Sequence, residues 1–312
     1  VTLDAVVADL EARLPGAIER DAPSGPLTTY RCGGPVAALV RVRDDEDVRT
    51  LAEVLAGHRE VPLLVVGRGS NLLVADAGYP GVGIVLAGDL ERVELDRAQA
   101  RVFAGGAAAL PVMARQAATA GIGRLEFFVG IPGSVGGAVR MNAGGHGAET
   151  RDVLVSARVV DLDRAETVDL DVDALKLGYR RSALTARKVV VSAVFAGRSD
   201  DPAECGRRIE EIVRWRREHQ PGGQNAGSVF TNPPGDSAGR LIDATGLKGL
   251  RVGGVVVSEK HANFFVAEPG ARAGDVVALM AQVQARVEAA TGVHLEPELQ
   301  LAGFVGDCKE VS

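Results

Sequence analysis

Cysteine is scarce: Cys32, Cys205 and Cys308 are the only three in a chain of 312 residues. They are odd in number and far apart, so neither a disulfide framework nor a cysteine metal set can be drawn from them. A reducing, cytoplasmic setting and no metal are expected. An excess of basic charge is also lacking. Lys and Arg total 35 against 41 Asp and Glu, a net charge of −6. That excludes nucleic acid as the main partner, because a phosphate backbone demands a basic face. No apolar run approaches the ~18 residues that would span a bilayer, and the first residues lack a charged stretch followed by an apolar one. No membrane partner is therefore expected. Internal repeats and low-complexity tracts are absent too.

Apolar side chains, at 46%, and glycine, at 39 residues, are abundant. The glycine content lies well above the ~7% of an average chain. The length suggests about two domains at ~150 residues each. Leu3, Val6, Val7, Leu10 and Leu14 recur at helical spacing. Asp44 and Asp45 open a second helix that carries Val48, Leu51 and Leu55 on one face. Further helices are predicted over Ala107 to Gly121, from Pro202 onward, over Ser237 to Ala244 and over Ala273 to Thr291. Strands are predicted over Ala37 to Val42, Val61 to Val66, Leu72 to Val74 and Val82 to Leu86. Others are read at Val159–Val160, Thr167–Leu170, Val189–Val194, Val255–Val257 and Phe264–Val266. The order is mixed α+β, without a regular βαβ alternation.

The glycines cluster. The stretch GRGSN, Gly67 to Asn71, follows an apolar strand. It matches neither GxGxxG nor GxxxxGK[ST], and the strand Leu72 to Val74 follows at once, leaving no room for a helix. An anion would have to be held there by successive backbone N–H groups in a nest, with Gly67 and Gly69 free to take positive φ. A tight β-turn without a ligand stays open from this loop alone. A second stretch, GIPGSVGGAVRMNAGGHG from Gly130 to Gly147, carries seven glycines. That many cost considerable chain entropy and suit a flat ligand pressed against main chain. Two such loops fit a flavin dinucleotide better than a mononucleotide.

TTYRCGGP (28–35), VGRGSNLLVAD (66–76) and GIPGSVGGAVRMNAGGHGAE (130–149) resemble the flavin-binding half of the UDP-N-acetylenolpyruvoylglucosamine reductases. YRRS (179–182), NAGSVFTNPP (225–234), AGRLIDATGLKG (238–249), VSEKHANFFV (257–266) and LEPEL (295–299) resemble their catalytic half. The resemblance runs in order from about residue 24 to about 303. It implies an α+β fold: an FAD-binding module of the vanillyl-alcohol-oxidase type over 1–197, with two subdomains split near 60. A substrate domain over 198–303 and a tail over 304–312 would follow. It resembles the branch without the extra substrate-covering insertion. It implies FAD as cofactor and NADPH as hydride donor, with NADPH and a UDP-sugar enolpyruvyl ether taking turns in one cavity of a monomer. The flavin then passes hydride to C3 of the enolpyruvyl group, and a proton goes to C2.

The resemblance also implies roles. Tyr30, Arg31, Gly67, Arg68, Gly69, Ser70, Asn71 and Leu72 would hold FAD from the first half. Gly130, Ile131, Pro132, Gly133, Ser134, Gly136, Gly137, Asn142 and Gly144 would hold it from the second stretch. Ser228 would give the proton to C2. Arg180 would sit on the substrate carboxylate, where a rigid guanidinium fork suits a planar anion. Glu298 would lie near the same carboxylate, protonated. Glu296 competes with it, because a strand's pleat would place both acids on one face. Tyr179, Arg217, Asn232, Lys260 and His261 resemble substrate contacts, and Arg214, Arg216 and Arg217 are alternative partners for a diphosphate. His146 is read as a loop residue. Thr231 stands where the family often has lysine, and Ala267 where asparagine is common, the latter read as a matter of turn structure. The alternatives are another FAD oxidoreductase of the same fold, such as a sugar or alcohol oxidase, and a non-catalytic flavin-binding protein.

Overall fold

The acidic run at Asp44 to Asp47 begins a helix because the Asp44 carboxylate accepts from the backbone N–H groups of Glu46 (3.0 Å) and Asp47 (2.9 Å). That helix, Asp45–Ala56, lies with the helix Leu3–Arg13 on a four-stranded sheet. The sheet order is Ile18–Pro23, Pro35–Val42, Tyr79–Leu86 and Leu63–Val66. The first pair is antiparallel and the rest are parallel. Leu10, Leu51, Leu55, Val40 and Ile84 form the apolar core beneath. The computed structural model describes residues 2–304, so Cys308 and all of the expected tail beyond Phe304 lie outside the described residues.

A second lobe is a five-stranded antiparallel sheet in the order Glu166–Asp171, Leu154–Asp161, Lys188–Ala196, Arg101–Gly105 and Val93–Asp96. The helices Leu110–Thr119 and Pro202–His219 pack together beside it. Asp201 caps the latter through its bond from Ala203 N–H. Cys205 and Ile209 of that helix enter the same core as Met113, Phe128 and Phe195. The apolar face of Pro202–His219 thus belongs to this lobe and not to the unit that follows.

That following unit gathers the helices Ala238–Ala244 and Ala273–Thr291 and a small sheet of Arg251–Val252, Val255–Val257 and Phe265–Ala267. Its core, around Phe230, Phe265, Met280 and Leu295, also takes in Tyr30, Cys32 and Leu73 from the first lobe. Burial pushes the Cys32 thiol up to about 11, which makes it a neutral core group. One parallel pairing then closes the molecule: Gln300–Ala302 lies beside Leu72–Val74.

Several elements run beyond the sequence reading. Ile18–Pro23 is a mostly exposed edge strand with no apolar alternation to announce it. Val93–Asp96 and Arg101–Gly105 form a short hairpin. The helix Val135–Met141 contains Gly136 and Gly137, poor helix formers. Its first turn is held from outside by Gly136 N–H on Gly106 O (2.8 Å).

At the first turn of the helix Ala273–Thr291, Asp275 accepts from the Arg272 N–H (3.1 Å), which leaves the next two N–H groups to a carboxylate from another lobe. Asp76, just after Leu72–Val74, accepts from Ala273 N–H and Gly274 N–H, each at 2.9 Å. Asp76→Ala should lower unfolding stability by about 1–2 kcal/mol, as loss of a helix cap does. Urea denaturation checks it; an unchanged midpoint would mean water replaces the carboxylate at no cost.

Candidate functional site

Gly69 shows why the first loop must be bare. It adopts φ +60°, and a Cβ there would sit 1.9 Å from the Leu27 carbonyl oxygen. Its own carbonyl accepts from Thr29 N–H (3.1 Å). At Gly67, a Cβ would come within 2.5 Å of Ser134 Oγ. The two glycine stretches therefore touch. As expected, the loop runs straight into a strand. Ser134 is buried and caps Val135–Met141 by accepting from Gly137 N–H (3.3 Å).

Between these stretches lies a cavity of about 530 Å³. From the first it is lined by Gly67, Arg68, Gly69, Ser70, Asn71 and Leu72, and from the second by Gly130, Ile131, Pro132, Gly133, Ser134, Gly137 and Gly144. A neighbouring cavity of about 320 Å³ is lined by Gly67, Arg68, Ser134, Gly136, Gly137 and Arg140, together with Arg41 and Lys188. Gly67, Arg68, Ser134, Gly137 and Arg140 wall both, so the two cavities adjoin over bare main chain with cationic side chains beside them. The close approaches at Gly67 and Gly69 and this two-part shape fit a dinucleotide carrying a flat ring.

Ser228, Arg180 and Glu298 all line the larger cavity, though they come from three distant parts of the chain. Ser228 follows Gly227, at φ +75°, and is half-buried. Glu298 is tied to the serine segment by its N–H on Val229 O (2.8 Å) and to the first glycine loop by Asn71 Nδ2 on its own carbonyl (3.0 Å). Its carboxylate lies 2.7 Å from Arg180 Nε, with both side chains largely buried. This is an ion pair by distance, but the Nε–H is not aligned for a hydrogen bond. Burial raises the Glu298 pKa, and Arg180 opposes that only in part. Arg180 itself sits at φ +54° and reaches Gly144 O (3.4 Å). A non-glycine residue there is strained and must be held by its surroundings.

Glu296 is separated from Glu298 by structure where the pleat argument could not separate them. Leu295 to Leu299 is not a ladder strand: it makes one bridge, Pro297 to Phe230, and Pro297 has no N–H to continue a ladder. Glu296 is exposed, and its carbonyl accepts from Thr231 N–H (2.9 Å). Ala267, read as a turn position, ends the strand Phe265–Ala267 and donates to Gln224 O (2.8 Å).

Other expected contacts lie off the larger cavity. Tyr30 is fully buried with its hydroxyl unpartnered, and Arg31 lines neither cavity. Asn142 is buried and structural: it ends Val135–Met141 at φ +41°, donates to Glu149 Oε2 (2.9 Å) and Gly178 O (3.1 Å), and accepts from Arg151 N–H (2.9 Å). Tyr179 Oη accepts from Asn232 N–H (3.3 Å), and Asn232 Oδ1 accepts from Ala238 N–H (3.1 Å), so these two meet beside the cavity instead of in it. Lys260 Nζ donates to Arg217 O (2.5 Å), and His261 Nδ1 accepts from Asn263 N–H (3.3 Å). Among the three arginines, Arg216 lines the cavity while Arg214 and Arg217 do not. Its Nε donates to Gln220 Oε1 (2.9 Å), and burial lowers its pKa. Arg140 and Gln300 also line the cavity and were not singled out by the sequence. Arg140 is the only cation inside the second glycine stretch, which was the available signal. Among the described residues, Glu126, Asp200 and Cys205 form a group of metal-type ligands, but Arg208 lies between them at 2.7 Å from each carboxylate.

Residues 219–302 match the UDP-N-acetylenolpyruvoylglucosamine reductase C-terminal domain, and residues 36–171 match an FAD binding domain. The UDP-N-acetylenolpyruvoylglucosamine reductase of Paramagnetospirillum magneticum is 43% identical over 302 residues, 96% of each chain. That of Nitrobacter hamburgensis is 40% identical over 303 residues, 96% of this chain and 98% of its own. The crystal structure of the reductase from Thermus caldophilus superposes with a TM-score of 0.78 at 38% identity, covering 91% of this chain and 98% of that one.

The raised pKa of Glu298 has a consequence for stability. A carboxyl whose folded pKa lies above its unfolded value stabilises the fold most at low pH, and that contribution is lost as pH rises through the folded pKa. Glu298→Gln carries no such titration. The Tm of Glu298→Gln relative to the parent protein should therefore climb as the pH is raised above the ordinary glutamate value of 4.5. A constant difference across that range would show that the carboxyl is not perturbed by burial.

Proposed function

The chain belongs to the UDP-N-acetylenolpyruvoylglucosamine reductase family, and from that we propose how its own residues carry the reaction. It is an FAD oxidoreductase that reduces the enolpyruvyl ether of UDP-N-acetylglucosamine, with NADPH as reductant, for peptidoglycan synthesis. Bound flavin supplies a hydride to C3 of the enolpyruvyl group. The glycine stretches around Gly67 and Gly137 would hold that cofactor, with Arg68 and Arg140 near its diphosphate. Hydride arrival at C3 leaves negative charge on C2, shared with the adjoining carboxylate. The chain's task is to stabilise that charge and deliver one proton.

Arg180 supplies the cation for the carboxylate. Before substrate arrives, its charge faces Glu298. A substrate carboxylate entering beside them draws Arg180 toward itself and puts a second anion next to Glu298. Both effects favour the protonated form of Glu298, which then donates a hydrogen bond where its anion would repel. Ser228 gives its hydroxyl proton to C2 and regains one from water. A hydroxyl is a weak acid, but a carbanionic carbon is a strong enough base to take its proton. Arg216 would meet the substrate diphosphate from the helix Pro202–His219. The observation that carries this reading is the convergence of Ser228, Arg180, Glu298 and both glycine stretches on one cavity. The enzyme is proposed to act as a cytoplasmic monomer. None of the described helices is long and apolar enough to cross a membrane, and Cys32 and Cys205 are free buried thiols.

Under anaerobic conditions, NADPH should bleach the yellow protein, and the enolpyruvyl sugar nucleotide should restore the colour. Bleaching without recovery would reduce the reading to an unspecified flavoprotein. Ser228→Ala should bleach normally but recover more slowly by roughly 10²–10⁴-fold, the usual range for a lost general acid. Recovery at the parent rate would remove Ser228 from the role.

A further inference from the structure

Ser228–Phe230 is held as the middle line of three, although only isolated bridges join it to its neighbours: Ser228 to Phe264 and Phe230 to Pro297. On one side Val229 N–H donates to Asn263 O (2.9 Å); on the other Val229 O accepts from Glu298 N–H (2.8 Å). Phe230 has no peptide opposite it on the first side. The Asn263 side chain takes that place: Oδ1 accepts from Phe230 N–H (3.0 Å) and Nδ2 donates to Phe230 O (2.8 Å). A carboxamide carries the same donor and acceptor as a peptide, so it completes the pairing where the neighbouring backbone does not. Asn263 is 2% exposed, so water is poorly placed to replace it. On the other side of Ser228 the preceding residue is held locally, Gly227 N–H donating to Asn225 Oδ1 (3.1 Å). Gly227, at φ +75°, has nothing within 4 Å of where a Cβ would be.

We propose that Asn263 is the positioning residue for Ser228, setting the reach of its hydroxyl relative to Glu298 by standing in for a missing strand peptide. The proposal rests on the reading of Ser228 as proton donor. It acts on one half-reaction only. Reduction of the flavin by NADPH needs no proton from Ser228, whereas reduction of the enolpyruvyl ether does.

Rapid mixing of the flavin-loaded enzyme, anaerobically, separates the two half-reactions. Asn263→Ala removes both side-chain bonds. Asn263→Asp is isosteric, keeping the acceptor but setting a carboxylate oxygen against Phe230 O. In both, bleaching by NADPH should stay within about twofold of the parent, and reoxidation by the enolpyruvyl sugar nucleotide should slow about a hundredfold. Adding Asn263→Ala to Ser228→Ala should cost less than about twofold more, because residues acting as one unit are not additive. Multiplicative losses in the double variant would overturn the proposal. So would equal slowing of both half-reactions, or failure of both single variants to fold with flavin. If Ser228→Ala alone reoxidises at the parent rate, the donor assignment fails and this inference falls with it. Additive losses beside a sensitive Ser228 overturn only the role of Asn263.

Discussion

One parallel strand pairing, three residues long, ties the two ends of the candidate site together. The parallel pairing of Gln300–Ala302 with Leu72–Val74 joins the end of the described chain to the strand that leaves the first glycine loop. Asn71 extends it by donating to Glu298 O, and Gln300 N–H returns a bond to Asn71 O (3.0 Å). Glu298 in turn holds the segment that bears Ser228. The first glycine loop and the segments that bear Glu298 and Ser228 are thereby linked by backbone bonds, with the Asn71 side chain beside them. Backbone bonds suit this task because their geometry is fixed by the peptide plane, whereas a surface side-chain contact could relax by rotamer changes.

The Arg180–Glu298 pair is better understood as a device for chemistry than as a source of stability. Taking two charges out of water costs about as much as their attraction returns, and here the guanidinium is not aligned to make its best bond. In the proposed reaction Arg180 would exchange this partner for the entering carboxylate. Its left-handed backbone conformation is held by its surroundings. In the first glycine loop the positive φ falls on Gly69, which takes it without steric clash.

Much of the fold was legible because local signals and tertiary structure agree. Asp44 and Asp201 cap the helices their neighbours begin, and Ala273–Thr291 was readable to the residue from its apolar face. The helix Val135–Met141 was not, since two glycines mask it and its support comes from Gly106, distant in sequence. In the site, Gly67, Gly69 and Ser134 were legible as loop residues, but their mutual contact was not. Asn142 and Tyr30, expected beside the cofactor, are fully buried and line neither cavity. The family pattern favoured Glu298 over Glu296, and the buried setting of one and the exposure of the other supply a physical difference between them. Among three neighbouring arginines, only the rotation of a helix relative to the cavity distinguishes Arg216.

The amino-acid sequence by itself determined most of the helices and strands and the two bare loops, which follow from periodicity, capping and backbone freedom acting over a few residues. The residues suited to a carbanionic intermediate were marked by the family pattern alone. Only the tertiary structure decided which side chains share a cavity, which way Glu298 is pushed in its titration, and that Asn263 completes the pairing beside Ser228. Each of these depends on burial and on contacts between residues tens to hundreds of positions apart, which no local pattern encodes.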